Sequence, residues 1–176
     1  MNTYTARILL IAALGAYAPL SLAAPVTVPM HLIDANGTGK SVGTVRAEDS
    51  KDGLVLSLKL NGLVPGKHGF HAHENAGCEP MEKDGKNTAG LAAGGHYDPD
   101  KSGKHEGPAG KGHLGDLPAL VVDDKGMASE RLVAPRLKVA DLKGRSLMIH
   151  EGGDNYSDDP KPLGGGGARI ACGVVK

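Results

Sequence analysis

The chain has 176 residues, no formal net charge at pH 7, no Trp, a single Phe and 27 Gly. That length suits one domain, and zero net charge removes any bulk electrostatic case for a nucleic-acid or membrane partner. So few rings and so many glycines exclude a core built on large aromatics. They favour short strands joined by turns, or long loops that need φ > 0.

The chain opens "MNTYTARILLIAALGAYAPLSLAA", with one charge, Arg7, an apolar run from Ile8 and the small-residue pattern Ser21-Leu22-Ala23. This is the layout of an export signal, expected over residues 1–23 with cleavage after Ala23. The apolar run is too short, and too broken by Gly15 and Pro19, for a comfortable membrane span; an uncleaved anchor is the competing reading. The remainder, 24–176, reads as a single domain, and removal of Arg7 takes its formal charge from 0 to −1. Export into an oxidising compartment favours joining the two cysteines, Cys78 and Cys172. In a chain-entropy account so long a loop contributes roughly 4–5 kcal/mol. Two separate buried thiols are the alternative.

Strands are expected at 26–33, 41–48, 54–60, 67–74, 118–122, 127–134, 145–150 and 169–175. The clearest is "LVLSLKL" at 54–60: Leu54, Leu56, Leu58 and Leu60 fall on one face, and Val55, Ser57 and Lys59 on the other. Turn chemistry in "DANGTGK", "EDSKDG", "NGLVPGK" and "DDKG" separates many of them. "LKVADLKG" at 137–144 suits a helical turn. Eight short strands with tight connections predict an all-β antiparallel sandwich or barrel. Two connections are long: 75–117, rich in Gly, Lys and His, and 151–168, "EGGDNYSDDPKPLGGGGA". Loops of this length are functional or disordered, and metal with a disulfide could order the first.

The stretch "HGFHAHENAGC", 68–78, crowds three of the chain's eight histidines beside a cysteine. Strand alternation points His71 and His73 the same way, which makes half of a metal site. "GGHYDP" adds His96, "GKHEGP" His105, "GHLGDLP" His113 with Asp116 three residues on, and "MIHEGGDN" His150. A three-His, one-Asp set suits zinc, which fits His96, His105, His113 and Asp116. An all-imidazole set leans to copper(II), which fits His71, His73 and His150 but needs a fourth partner. A deprotonated His96 could ligate one metal through each nitrogen.

Other residues carry plainer readings. His68 reads as a hydrogen-bonded structural histidine and His31 as structural or solvent-facing. Glu74, Glu79 and Asp98 read as loop hydrogen-bonders. "GGGG" at 164–167 lacks the lysine and helix of a phosphate loop and reads as a flexible turn into the last strand.

Taken together and in order, "GFHAHE", "GGHYDP", "KHEGP", "GHLGDLP", "GGDN" and "PLGGGGARIACGV" resemble the copper/zinc superoxide dismutases, most closely the exported, periplasmic bacterial branch. The resemblance implies an eight-stranded antiparallel Greek-key barrel with two long functional loops, and one copper and one zinc per subunit. It implies copper on His71, His73, His96 and His150, and zinc on His96, His105, His113 and Asp116. Asp154 would join a histidine of each set, and Cys78–Cys172 would pin the metal loop to the last strand. Arg169 would orient superoxide beside copper, and His96 would take up and return a proton as it leaves and rejoins the metal. Lys161 and other loop lysines would form the rim of a positive funnel. The partner is the superoxide anion; no nucleic acid or membrane is expected after signal cleavage, and the subunit would be a monomer or a homodimer. Two other classes stay open: an exported copper/zinc carrier on the same scaffold, and a zinc-stapled structural domain without a copper site.

Overall fold

The computed structural model describes residues 23–176. The expected export signal lies, Ala23 apart, outside the described residues. The strands are β1 (Val26–Asp34), β2 (Gly37–Ser50), β3 (Gly53–Leu60), β4 (Gly66–His68), β5 (Phe70–His73), β6 (Met81–Lys83), β7 (Lys86–Thr88), β8 (Leu120–Val122), β9 (Arg131–Ala134), β10 (Ser146–His150) and β11 (Arg169–Val174), with one helical turn, α1 (Val139–Leu142). The main sheet has the order β5-β10-β11-β1-β2-β3-β9, and β4 pairs separately with β8. Every strand pairing is antiparallel. Because β4 runs straight into β5, the small pair extends the curled sheet to eight strand positions. The connections β3 to β4 and β9 to β10 cross its ends, which is the Greek-key order.

Most expected strands appear within a few residues of their bounds. Three differences have physical causes. The expected strand 67–74 divides at Gly69, where pairing passes from β8 to β10. β2 begins at Gly37, not 41, because the turn narrows to Ala35-Asn36, closed by the Asn36 N–H on Asp34 Oδ1 at 2.6 Å. The long 75–117 connection contains an exposed hairpin, β6–β7, whose polar residues carry no alternation to read.

On β3, Leu54, Leu56, Leu58 and Leu60 are buried and Lys59 is exposed. Val55 departs from the expected half-buried pattern and is 1% exposed. The same two-residue period positions the site on β5 and β10. Phe70, Ala72, Leu147 and Ile149 face the main core. His71, His73 and His150 alternate with them and so face outward, yet they too are buried, beneath the loops. Met148 pairs with His71, and Ser146 with His73, across the two strands. The disulfide Cys78–Cys172, with Cα atoms 5.8 Å apart, ties the start of the 75–117 loop to β11.

Phe70, the one phenylalanine, is fully buried against that core immediately before His71. Phe70→Ala should lower the unfolding free energy of the metal-free protein by about 3–5 kcal/mol, read from urea denaturation midpoints at unchanged m-value.

Candidate metal centre

Buried imidazoles need acceptors for their N–H groups, and those acceptors decide which nitrogen is left with a lone pair. His73 Nδ1 donates to Gly94 O at 3.0 Å. His150 Nδ1 donates to Gly167 O at 3.2 Å. Both rings therefore leave Nε2 free. His71 Nε2 and His105 Nε2 each donate to the Asp154 carboxylate, on Oδ2 and Oδ1, both at 2.8 Å. These rings leave Nδ1 free. Among the described residues, six buried side-chain nitrogens lack any hydrogen-bond partner: Nδ1 of His71, His105 and His113, and Nε2 of His73, His96 and His150. Orphaned buried polar atoms are rare in native structures unless a ligand takes them.

The six atoms converge in two places. Ligand atoms of His71, His73, His96 and His150 lie within 4.8 Å of one another. Around Asp116 Oδ1 stand His96 Nδ1 at 3.0 Å, His105 Nδ1 at 3.0 Å and His113 Nδ1 at 3.4 Å. By mutual distance alone His71 also falls with His96, His105 and Asp116. Its Nε2 is committed to Asp154, however, and its one free nitrogen already belongs to the first group. His113 has a free, buried Nδ1 at the second and completes it. His96 is common to both, offering Nε2 to the first and Nδ1 to the second. Its ring stacks on His71 with centroids 3.9 Å apart.

The electrostatics of the first group agree with metal-ligating forms. Burial, reinforced by the neighbouring His96, lowers the pKa of His71 to about 3. Burial lowers His150 to about 4 and His73 well below its ordinary value, with His96 and Arg169 adding to the effect. These rings are neutral at neutral pH, the state that binds metal. Burial opposes a charge on His105, but the Asp116 and Asp154 carboxylates beside it outweigh burial and push the pKa up to about 9, so this ring carries a proton that a metal would displace on binding. Burial also opposes ionisation of Asp116 and Asp154, yet their histidine partners hold both below the usual carboxylate range. Imidazoles alone suit copper; three imidazoles with one carboxylate suit zinc. The residues present fit both ions.

The loops are shaped to this purpose. Asp116 Oδ2 accepts the N–H groups of Glu106 and Gly107, both at 3.2 Å. The glycine run 164–167 is not merely a flexible turn. Gly164 is buried, with φ +68°, and a Cβ there would stand 2.0 Å from Asp154 Oδ1. Arg169 is half-buried, with Nη1 on Gly90 O and Nη2 on Gly94 O at 2.7 Å. Gly94 O thus holds Arg169 and His73 together. A hollow of about 260 Å³ opens there, lined by Lys83, Leu91, Ala168 and Arg169 among others. Lys161, expected on the rim, lines a different hollow with Lys67 and Gly165. His68 holds Nδ1 on His150 O at 2.7 Å and Nε2 on Val64 O at 2.8 Å. His31 is half-buried on β1, opposite Cys172. Glu74, Glu79 and Asp98 accept loop N–H groups from Gly95, Cys78 and Gly103. The orienting carbonyls of Gly94 and Gly167 are not legible in the sequence. A backbone carbonyl has no residue signature.

An antiparallel Greek-key barrel carrying two buried clusters of candidate metal ligands joined through His96 is the architecture of a dinuclear metalloenzyme of the copper/zinc type. Residues 41–175 match the copper/zinc superoxide dismutase family, and the chain belongs to it. It is 55% identical to superoxide dismutase (Cu-Zn) 2 of Salmonella typhimurium over 97% of this chain and 96% of that one. Its structure superposes on a Cu/Zn superoxide dismutase from Brucella abortus with TM-score 0.86 at 55% identity, covering 87% of this chain and 100% of that one. For the monomeric copper, zinc enzyme of Salmonella enterica the TM-score is 0.79 at 56% identity, with the same two coverages, 87% and 100%. The chain is a copper- and zinc-dependent enzyme that dismutes superoxide to oxygen and hydrogen peroxide, and the carrier reading is not favoured.

Asp154 serves one histidine of each cluster. Asp154→Asn should weaken both metals by about 10–100-fold, the usual cost of losing an outer partner of a ligand, with the fold retained by circular dichroism. Competition with a chromophoric chelator measures it.

Proposed function

We propose that His71, His73, His96 and His150 hold copper, that His96, His105, His113 and Asp116 hold zinc, and that Arg169 receives the superoxide anion. The observation that carries this reading is the convergence of six unpaired buried imidazole nitrogens, four in one place and two beside Asp116, with His96 reaching both places through its two nitrogens. Bound copper supplies the one-electron redox chemistry and zinc a fixed charge, so that two superoxide anions and two protons become dioxygen and hydrogen peroxide.

The chain's own residues do the rest. Asp154 and the Gly94 and Gly167 carbonyls hold the rings in the tautomers that face the metals. His96 Nε2 is the atom at which a proton can be held and returned between the two halves of the reaction. Arg169, fixed through two of its nitrogens, presents its remaining N–H groups and its charge beside His73 and His150. Lys83, lining the same hollow, extends the positive approach. Such a field raises encounter rates by roughly 10–10³ and weakens with salt.

The same reading places the site on an exported protein. Residues 1–23 are a cleaved signal, 24–176 the single catalytic domain, and the compartment the periplasm, supported by the motif at Ser21-Leu22-Ala23, the disulfide and the bacterial relatives. The described monomer of Salmonella enterica favours a monomer here over a homodimer.

His150→Ala should lose copper while zinc and fold remain, measured by metal analysis after dialysis; loss of zinc instead would overturn the assignment of ligands. Arg169→Glu should retain copper and slow dismutation by roughly tenfold or more, with its salt dependence flattened or inverted. Stopped-flow rates across ionic strengths measure this, and unchanged kinetics remove Arg169 from substrate capture.

A further inference from the structure

Arg136 follows β9 in sequence and belongs to neither cluster, yet its guanidinium is spent on the loop that carries both His105 and His113. Nε donates to Pro108 O at 3.2 Å, Nη1 to Gly112 O at 3.1 Å and Nη2 to His113 O. Among the described residues the Pro108 and Gly112 carbonyls receive no backbone donor, and His113 O receives one, a long contact from Asp116 N at 3.4 Å. The segment 104–113 folds back on itself tightly. The His113 N–H reaches Lys104 O at 2.8 Å, and a Cβ on Gly112 would stand 2.2 Å from that same oxygen. The loop's returning limb thus meets His105's limb on one side and Arg136 on the other.

We propose that Arg136 is a positioning residue for the zinc cluster. It fixes the backbone of His113, so that this ring nitrogen stands beside Asp116 before metal arrives. This rests on the reading that His96, His105, His113 and Asp116 hold zinc. The physical basis is the fork: a guanidinium presents five N–H donors in one rigid plane and can serve three carbonyls at once. An ammonium is a point donor, and an amide has two N–H groups. Without the fork, the carbonyls turn to water and His113 samples positions from which it cannot complete the site. Ordering it then falls to the metal-binding energy.

The test uses the disulfide-bonded protein after metal removal, comparing the parent with Arg136→Gln, Arg136→Lys and, as a control, His113→Ala. Zinc affinity is measured by competition with a chromophoric chelator. Cobalt(II) absorption reports ligand geometry, and copper(II) titration reports the other cluster. Arg136→Gln should weaken zinc about 10–100-fold, the range for outer partners of ligands. It should also alter the cobalt spectrum and leave copper affinity within about twofold, well below that same range. Arg136→Lys should recover part of the loss, and it carries the test if the Gln variant does not fold. Zinc affinity unchanged in the folded variants, or equal loss of both metals with an unaltered cobalt spectrum, overturns the proposal. Unchanged zinc affinity in His113→Ala overturns the ligand reading beneath it; loss there with none in the Arg136 variants overturns the positioning role alone.

Discussion

One buried carboxylate constrains the whole site. Asp154 receives an N–H from His71 on a barrel strand and from His105 on a loop, with no solvent access to any of the three side chains. Such a pair of hydrogen bonds sets two tautomers at once and leaves the opposite nitrogen of each ring available. The carboxylate is itself held by the Tyr156 N–H at 2.8 Å. Gly164 lets the backbone close over it where any side chain would collide. Barrel strand, metal loop and the 151–168 loop meet on these two oxygens. Movement of any one would misalign a ring in each cluster.

That meeting explains a division of labour between scaffold and loop. His71, His73 and His150 stand on β5 and β10, strands packed into the core through Phe70, Ala72, Leu147 and Ile149. Their positions are as stiff as the barrel. His96, His105, His113 and Asp116 stand on a connection without a core of its own. It is tied instead by the disulfide, by strand-like bridges such as His73 to His96 and His71 to Asp116, and by side-chain donors such as Arg136. In the proposed assignment the redox ion draws three of its four ligands from the rigid half, where ligand geometry sets the chemistry. In the same assignment an ion with no redox role closes the half that needs ordering.

Much of this was legible in the sequence because the signals were periodic or chemically rare. The alternating leucines of β3 and the i, i+2 histidines of β5 follow directly from the pleat. Histidine is scarce enough that six in motif context stand out. What escaped notice has no such signature. The division at Gly69 depends on which neighbour each half pairs with. The β6–β7 hairpin is polar on both faces. The burial of Val55 belongs to tertiary packing, not to alternation. Gly94 O, which orients His73 and anchors Arg169, is a backbone atom. Gly164 read as flexibility because a close approach to Asp154, ten positions away in the chain, cannot be seen from composition.

The charge of the protein makes the last point. Its formal net charge is zero, so attraction of a small anion cannot come from the molecule as a whole. It depends on where a few cations are placed relative to low-dielectric walls. Arg169 is half-buried, fixed to two carbonyls and shares a hollow with Lys83. Lys161, closer to it in sequence, lines a hollow with Lys67 and Gly165 that Arg169 does not line. Sequence proximity is therefore a poor guide to which lysine shares a hollow with Arg169. The β6–β7 hairpin, between the disulfide and His96, brings Lys83 to the hollow that Arg169 lines, so in the proposed reading the loop pinned by Cys78 serves the approach of the anion as well as the metal cluster.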